Sequence, residues 1–217
     1  MNIKTAILGV ILSVLLGCKT KKAIDKTTTL PFFNSAMFTP EWISETSENY
    51  ASIHKIGAFE FTNQEGKLVT NKTYEGKIYV ADFFFTSCPG ICPILTKNMR
   101  RLQDIFKNDP VVALLSHSVT PSKDSVSVLK AYALENDVDA SIWNLVTGPK
   151  KEIYAMARNS YFADEDFIKT QNEETFIHTE NFVLIDKKGR IRGVYNGTLA
   201  IETDRIVRHI NLLKKEG

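Results

Sequence analysis

The pattern of hydrophobic and polar residues along the chain predicts strands that alternate with helices. Apolar runs or period-two alternation indicate strands, and apolar residues spaced three and four apart indicate helices. From residue 55 onward the pattern predicts a hairpin, then strands each followed by a helix, then a second hairpin and a final helix. The predicted strands cover residues 59–62, 67–70, 78–85, 111–115, 141–146, 182–185 and 191–195, and the predicted helices begin near residues 93, 121, 149 and 201.

This order of elements predicts an α/β fold. Most of the predicted strands are almost continuously apolar, which is typical of a sheet that helices cover on both faces. The layout is that of a thioredoxin-like (peroxiredoxin-like) central sheet with an N-terminal β-hairpin. We find no internal repeat, and we expect residues 55–217 to form one domain.

The N-terminal segment has the features of an export signal. Lys4 precedes an apolar run over residues 6–16, which is too short to span a membrane and is typical of a secretory signal. The run ends in Leu-Leu-Gly-Cys, which resembles the lipobox of bacterial lipoproteins and implies cleavage before Cys18 and a lipid on that cysteine. We therefore expect residues 1–17 to be a lipoprotein signal peptide and the mature protein to face the periplasm or the cell exterior. An uncleaved membrane anchor is the alternative.

Residues 18–54 are expected to be the lipidated cysteine, a tether and an aromatic arm. Residues 19–29 are rich in Lys and Thr, which favours a flexible tether. Residues 30–42 carry Phe32, Phe33, Phe38 and Trp42 between two prolines. So many aromatic side chains are expected to pack on the domain, and contact with a partner protein is the alternative.

Composition and cysteine usage narrow the function. The chain has 217 residues and a formal net charge of +2, and its Lys and Arg residues form no patterned stripe, so we expect no nucleic-acid binding. Of the three cysteines, Cys18 is taken by the lipid, which leaves Cys88 and Cys92. In an exported protein, one close cysteine pair indicates redox or metal chemistry rather than a structural scaffold.

Cys88 and Cys92 lie where the predicted strand 78–85 gives way to a helix. Backbone N–H groups at the start of a helix stabilise a thiolate, so this position favours reactive cysteines. Cβ atoms four residues apart on a helix are about 5–6 Å apart, whereas a disulfide needs about 3.8 Å. Pro89 and Gly90 would permit a bent turn that allows the bridge, and a metal about 2.3 Å from each sulfur tolerates the wider spacing. The sequence at this corner is therefore compatible both with a redox-active cysteine pair and with a metal site.

A third ligand is sought among the histidines. His178 is the best candidate because it precedes the predicted strand 182–185, where thioredoxin-like reductases have a cis-proline facing the cysteines, and residues 177–181 contain no proline. His117 follows the strand 111–115 and is the second candidate, whereas His209 lies on the final helix. Two thiolates and one imidazole suit copper, and zinc would accept them with a water as fourth ligand.

Several motifs together resemble the Sco/SenC family. They are the sequence Thr-Ser-Cys-Pro-Gly-Ile-Cys-Pro at residues 86–93, the segments 118–124 and 143–148, and His178 before the apolar strand. The similarity covers residues 59–213. It implies a thioredoxin-like fold and a membrane-tethered copper chaperone that helps assemble the copper A site of cytochrome c oxidase.

The resemblance also implies the site and its partners. Cys88, Cys92 and His178 would hold one copper ion per chain, as Cu(I) or Cu(II). The partners would be the oxidase subunit that carries the copper A site, and other copper carriers or thiol reductants. Thr120 departs from the family pattern, which often has Asp there, and this puts any docking or supporting role of that carboxylate in doubt, while Asp124 remains.

Other functions for the same residues are weighed against this one. The main alternative is an extracytoplasmic thiol–disulfide oxidoreductase acting on partner cysteines, with His178 tuning the thiolate. A peroxidase is less favoured, because Thr86 lies two residues before Cys88 rather than three. A structural zinc site is disfavoured because it needs four protein ligands. Whether the protein is an enzyme stays open.

Overall fold

The protein is described here by a computed structural model that covers residues 24–163 and 179–216. Its main sheet has seven strands in the order β4-β3-β7-β6-β5-β8-β9, and a separate pair joins β1 and β2. The strands are β1 (Phe32–Phe33), β2 (Pro40–Glu41), β3 (Glu60–Asn63), β4 (Leu68–Thr70), β5 (Ile78–Phe84), β6 (Val112–Ser118), β7 (Trp143–Thr147), β8 (Asn181–Ile185) and β9 (Ile191–Asn196). The α-helices in these ranges are α1 (Cys92–Phe106), α2 (Val126–Glu135), α3 (Lys150–Asn159) and α4 (Ala200–Leu213), and Glu48–Ser52 and Asn71–Tyr74 form short 3-10 helices.

The centre of the sheet is parallel and its edges are antiparallel. β5, β6 and β7 run in parallel, joined by α1 and α2. β3 pairs antiparallel with β7, and β8 pairs antiparallel with β5. Every residue of β5 and β6 is buried, as expected for strands that are covered on both faces. The predicted thioredoxin-like α/β class with an N-terminal hairpin, here β3 and β4, is confirmed.

The sheet separates two hydrophobic cores. Helices α1, α2 and α4 cover one face, and α3 covers the other. Alternate residues of β5 point to opposite faces because side chains alternate along a strand. Ile78, Val80 and Phe84 join the core under α1, whereas Tyr79, Ala81 and Phe83 join the core under α3.

Strand β6 runs three residues beyond its predicted end. The sequence pattern ended the strand at residue 115, but parallel pairing with β5 continues to Phe83 opposite His117 and Phe84 opposite Ser118. The polar residues at the end of β6 were predicted to be loop because periodicity cannot register backbone pairing. His117 is therefore part of the sheet.

The aromatic arm packs against β9. Phe32 is buried, and the guanidinium group of Arg192 lies 4.2 Å from the centre of its ring. Arg192 Nη2 also donates to the carbonyl of Leu30 at 2.6 Å and pairs with Glu216. These contacts lie near the turn between β8 and β9, which is beside the start of β5 because Ile185 pairs with Tyr79. The arm thus reaches the domain at the end opposite the cysteines.

In the described ranges, no helix is both long and apolar enough to cross a membrane. The apolar run at residues 6–16 and Cys18 lie outside those ranges, so the predicted signal peptide and lipid attachment stay predictions.

Candidate metal and thiol site

The two cysteines sit together at the corner between β5 and α1. Cys92 is the first residue of α1 and only 1% exposed, whereas Cys88 is partly exposed in the preceding turn. The backbone N–H of Cys88 donates to the carbonyl of Phe85 at 3.3 Å, which closes the turn. No disulfide joins the two sulfurs, so the structure shows the reduced pair.

The start of α1 stabilises the thiolate of Cys88. Partial burial alone would raise its pKa, but hydrogen bonds outweigh that effect. They come from the backbone N–H and the thiol of Cys92 and from the backbone N–H groups of Gly90 and Ile91, and the pKa of Cys88 is lowered overall. This confirms the predicted effect of the helix start on this cysteine. The more accessible sulfur is therefore the more nucleophilic one.

Cys92 behaves in the opposite way. Burial is the largest cause that raises the pKa of Cys92, and the hydrogen bond to Cys88 and the negative charges of Cys88 and Asp82 add to it. A hydrogen bond from the backbone N–H of Phe85 opposes the rise only in part. Of the two cysteines, Cys88 therefore has the lower pKa, and the thiol of Cys92 donates a hydrogen bond to the Cys88 sulfur.

Asp82 is a buried carboxyl group that the sequence analysis did not single out. Burial raises its pKa to about 7, although a hydrogen bond with the Ser116 hydroxyl opposes this. Ser116 Oγ in turn accepts from Trp143 Nε1 at 2.8 Å. Asp82 Oδ1 has no hydrogen-bond partner among the described residues. The signal in the sequence is one acid inside the otherwise apolar run 78–85.

His117 is not part of the dithiol site. Its ring stacks on Phe83 at 5.0 Å between centroids and is enclosed by Phe59, Phe61 and Tyr161, all in the core under α3. Cys92 lies in the other core, so the sheet separates the two residues. Neither ring nitrogen of His117 has a hydrogen-bond partner in the described part of the chain, and burial lowers its pKa to about 3. Its position at the end of β6 made it a candidate, but its side chain lies on the face of the sheet that α3 covers, opposite the face that carries Cys92.

His178 lies outside the described residues. The chain resumes at Thr179, next to β8, whose Val183 pairs with Ala81 of β5. The carbonyl of Glu180 accepts from the backbone N–H of Gly197 at 2.7 Å. Asn98 of α1 donates to the carbonyl of Gly197 at 2.6 Å. Residue 180 is thus linked to the helix that Cys92 begins.

Within residues 24–163 and 179–216, no group of three or more His, Cys, Asp or Glu side chains is placed to hold a metal ion. The assignment of Cys88, Cys92 and His178 as metal ligands stays a prediction.

Thr120, the position where this chain departs from the family pattern, lies in the loop after β6. Its hydroxyl donates to Asp124 Oδ2 at 3.0 Å, and its backbone N–H donates to Ser118 Oγ at 3.2 Å. Both contacts hold the loop together.

Comparison with known proteins agrees with this architecture. The SCO1/SenC family model matches residues 47–214. The SCO1 protein homologue of Bacillus subtilis is 32% identical over 159 residues, which cover 72% of this chain and 81% of that protein.

Solved structures give the same result. A SCO1/SenC family lipoprotein from Bacillus anthracis has a TM-score of 0.64 and 31% identity, covering 79% of this chain and 99% of that one. Arabidopsis thaliana ScoI, solved with copper bound, has a TM-score of 0.55 and 26% identity, covering 71% and 97%. The chain therefore belongs to the SCO1/SenC family.

Proposed function

We propose that this protein is an exported, membrane-tethered copper carrier. Cys88, Cys92 and His178 hold one copper ion per chain, and the protein delivers it to the copper A site of cytochrome c oxidase. Support comes from membership of a family of cytochrome c oxidase assembly proteins and from copper bound to the Arabidopsis relative.

The observation that carries the proposal is the pair of sulfurs at the start of α1. Thiolates are soft ligands that select copper ions. The lowered pKa of Cys88 favours its thiolate before copper arrives, whereas Cys92, whose pKa is raised by burial, must lose its proton as copper binds. Copper loading therefore releases a proton, and copper affinity falls as the pH falls. Because Cys88 is partly exposed and Cys92 is buried, an acceptor can replace Cys88 before Cys92.

The proposed attachment to the membrane is through a lipid on Cys18. Its support is the lipobox-like sequence and the lipoprotein relative in Bacillus anthracis. The arm reaches the domain at the end opposite Cys88, so a lipid at Cys18 would tether the chain to the membrane through that end of the domain.

Copper content measured by elemental analysis tests the ligand assignment. We expect one copper per chain in the reduced wild type and a large loss in Cys88→Ala, Cys92→Ala and His178→Ala. Cys18→Ser is the matched control, because it removes a cysteine that is not a proposed ligand, and it should keep full loading. Equal copper content in wild type and Cys88→Ala would remove the assignment.

A second candidate function is thiol–disulfide exchange on partner cysteines. The unequal pKa values of Cys88 and Cys92 favour it. A disulfide switch has also been identified in BsSco, a member of the Sco family of cytochrome c oxidase assembly proteins that is 29% identical in sequence to this chain. Cys88 thiolate would attack a partner disulfide and release one partner thiolate. Cys92 would then lose its proton and attack Cys88, releasing the second partner thiolate and leaving a Cys88–Cys92 disulfide, so two electrons pass to the partner. Cys92→Ser should trap the mixed disulfide between Cys88 and the partner. If no mixed disulfide forms when this variant is mixed with a partner whose disulfide can be reduced, this function is excluded.

A further inference from the structure

Asp124 is a fully buried carboxylate that binds no cation among the described residues. Its Oδ1 accepts from Thr86 Oγ1 at 2.6 Å. Its Oδ2 accepts from the Thr86 backbone N–H at 3.3 Å, from Ser118 Oγ at 2.6 Å and from Thr120 Oγ1 at 3.0 Å. A buried carboxylate is costly unless donors replace the lost water, and hydrogen bonds to an ionised acceptor are the strong ones. The chain thus directs four donors at this group.

Capping of helix α2 does not explain this carboxylate. The N-cap of α2 is Ser125, whose hydroxyl accepts from the Val128 backbone N–H. Asp124 lies one residue earlier and its oxygens point to Thr86, on the segment that follows β5. The bonds of Asp124 therefore join the loop after β6 to the turn that carries Cys88.

Thr86 adjoins the residue that contacts both cysteines. The Phe85 carbonyl accepts from the Cys88 backbone N–H, and the Phe85 backbone N–H donates to the Cys92 sulfur. Thr86 is bonded directly to Phe85 along the chain, and it is bound to Asp124 through both its backbone and its side chain. A shift of Thr86 would therefore move the Phe85–Thr86 peptide group, whose carbonyl accepts from Cys88, and through Phe85 it would displace the backbone N–H that donates to the Cys92 sulfur.

We infer that Asp124 is a positioning residue of the dithiol site, acting through Thr86 to hold residues 85–88 in the geometry that stabilises the reduced pair. Asp124 touches neither sulfur in the contacts described, so its action is indirect. The inference deepens the proposed function, but it concerns the thiols themselves and holds whether they serve copper transfer or disulfide exchange.

The test separates the Thr86–Asp124 contact from general stability. Thr86→Val removes the hydroxyl bond while keeping the shape of the side chain, and Thr86→Ser keeps the bond. Asp124→Asn and Asp124→Ala test the other partner. Thr198→Val is the matched control, because Thr198 is also half-buried and its hydroxyl donates to Asn196 Oδ1 at the same distance, 2.6 Å, outside the turn.

Two copper-free measurements on the full chain give the readout: the equilibrium of the Cys88–Cys92 pair with glutathione, and the rate of Cys88 alkylation by iodoacetamide at pH 7. In Thr86→Val we expect the equilibrium to shift about tenfold away from the reduced form, which is about 30 mV. Alkylation should slow by a similar factor as thiolate is lost. Asp124→Asn should change both in the same direction, and Thr86→Ser and Thr198→Val should match the wild type.

Urea unfolding of each variant is measured alongside. If Thr86→Val and Asp124→Asn lose stability but keep the wild-type glutathione equilibrium and alkylation rate, Asp124 is merely structural and the inference is overturned. If Asp124→Ala does not fold, the glutathione equilibrium and alkylation rate of Thr86→Val still decide whether the inference holds. A protein with normal thiol chemistry that binds no copper would refute the proposed function and leave this inference standing.

Discussion

Replacing Asp82 by Asn should change how stability depends on pH. Burial raises the pKa of the Asp82 carboxyl group to about 7, from its ordinary value of 3.8. Between these values the folded protein binds a proton that the unfolded chain has lost, so the contribution of Asp82 to stability falls as the pH rises from about 4 to about 7. At 1.36 kcal/mol per pH unit, this loss is about 4 kcal/mol. Asn cannot ionise and does not suffer the loss.

Urea unfolding of the reduced protein at a series of pH values between 4 and 7.5 measures this. The free energy of unfolding of Asp82→Asn minus that of the wild type should grow by about 4 kcal/mol across the range. Any fixed effect of the amide is the same at every pH and cancels in this difference, as do the contributions of other titrating groups. Ser116→Ala removes a hydrogen bond that lowers the pKa of Asp82, so in that variant the contribution of Asp82 to stability should keep falling above pH 7. Parallel curves for Asp82→Asn and wild type would refute the reasoning.

Three further predictions concern groups away from Asp82. Burial lowers the pKa of His117 to about 3, so the contribution of His117 to stability is lost as the pH falls below about 6.5. In the same unfolding assay, His117→Phe should gain about 3 kcal/mol on the wild type between pH 7 and pH 4. In Gly197→Ala the new Cβ would lie 2.6 Å from the ring of Phe182, so thermal melting should show a loss of stability of about 1–3 kcal/mol. The control is Gly90→Ala, in which the new Cβ makes only an ordinary 3.9 Å contact, and it should melt like the wild type. Arg192→Leu leaves the buried Asp186 without its partner, so it should lower the free energy of unfolding by about 3–5 kcal/mol and expose the arm to limited proteolysis. The control is Arg101→Ala, which removes an exposed ion pair with Asp204; it should cost less than about 1 kcal/mol and leave the arm protected.

The sequence predicted the elements that position the site because they follow simple periodicity. The apolar run 78–85 and the helical spacing after Pro93 placed the two cysteines at a strand-to-helix corner, and the structure confirms that placement. The lowered pKa of Cys88 followed from the same argument, since it depends on backbone groups that any helix start presents. The same argument was wrong for Cys92, because burial at the first residue of α1 raises its pKa.

The remaining features depend on contacts between distant segments, which periodicity does not encode. Nothing in the run 78–85 tells which face of the strand Asp82 occupies, nor that Ser116 and Trp143 lie beside it. The side on which His117 lies was decided by parallel pairing that carried β6 past its apolar residues. The link from Asp124 to Thr86 spans 38 residues and joins two loops. His178 was assigned by analogy of position and stays a prediction.

A copper titration followed by absorption spectroscopy tests the central claim most directly. If Cys88 and Cys92 bind copper, the reduced wild type should develop a thiolate-to-copper(II) charge-transfer band that saturates at one copper per chain. Cys88→Ser and Cys92→Ser should each abolish or shift the band, and His178→Ala should alter it, while Cys18→Ser leaves it unchanged. A band of the same position and intensity in both Cys88→Ser and Cys92→Ser would contradict the account.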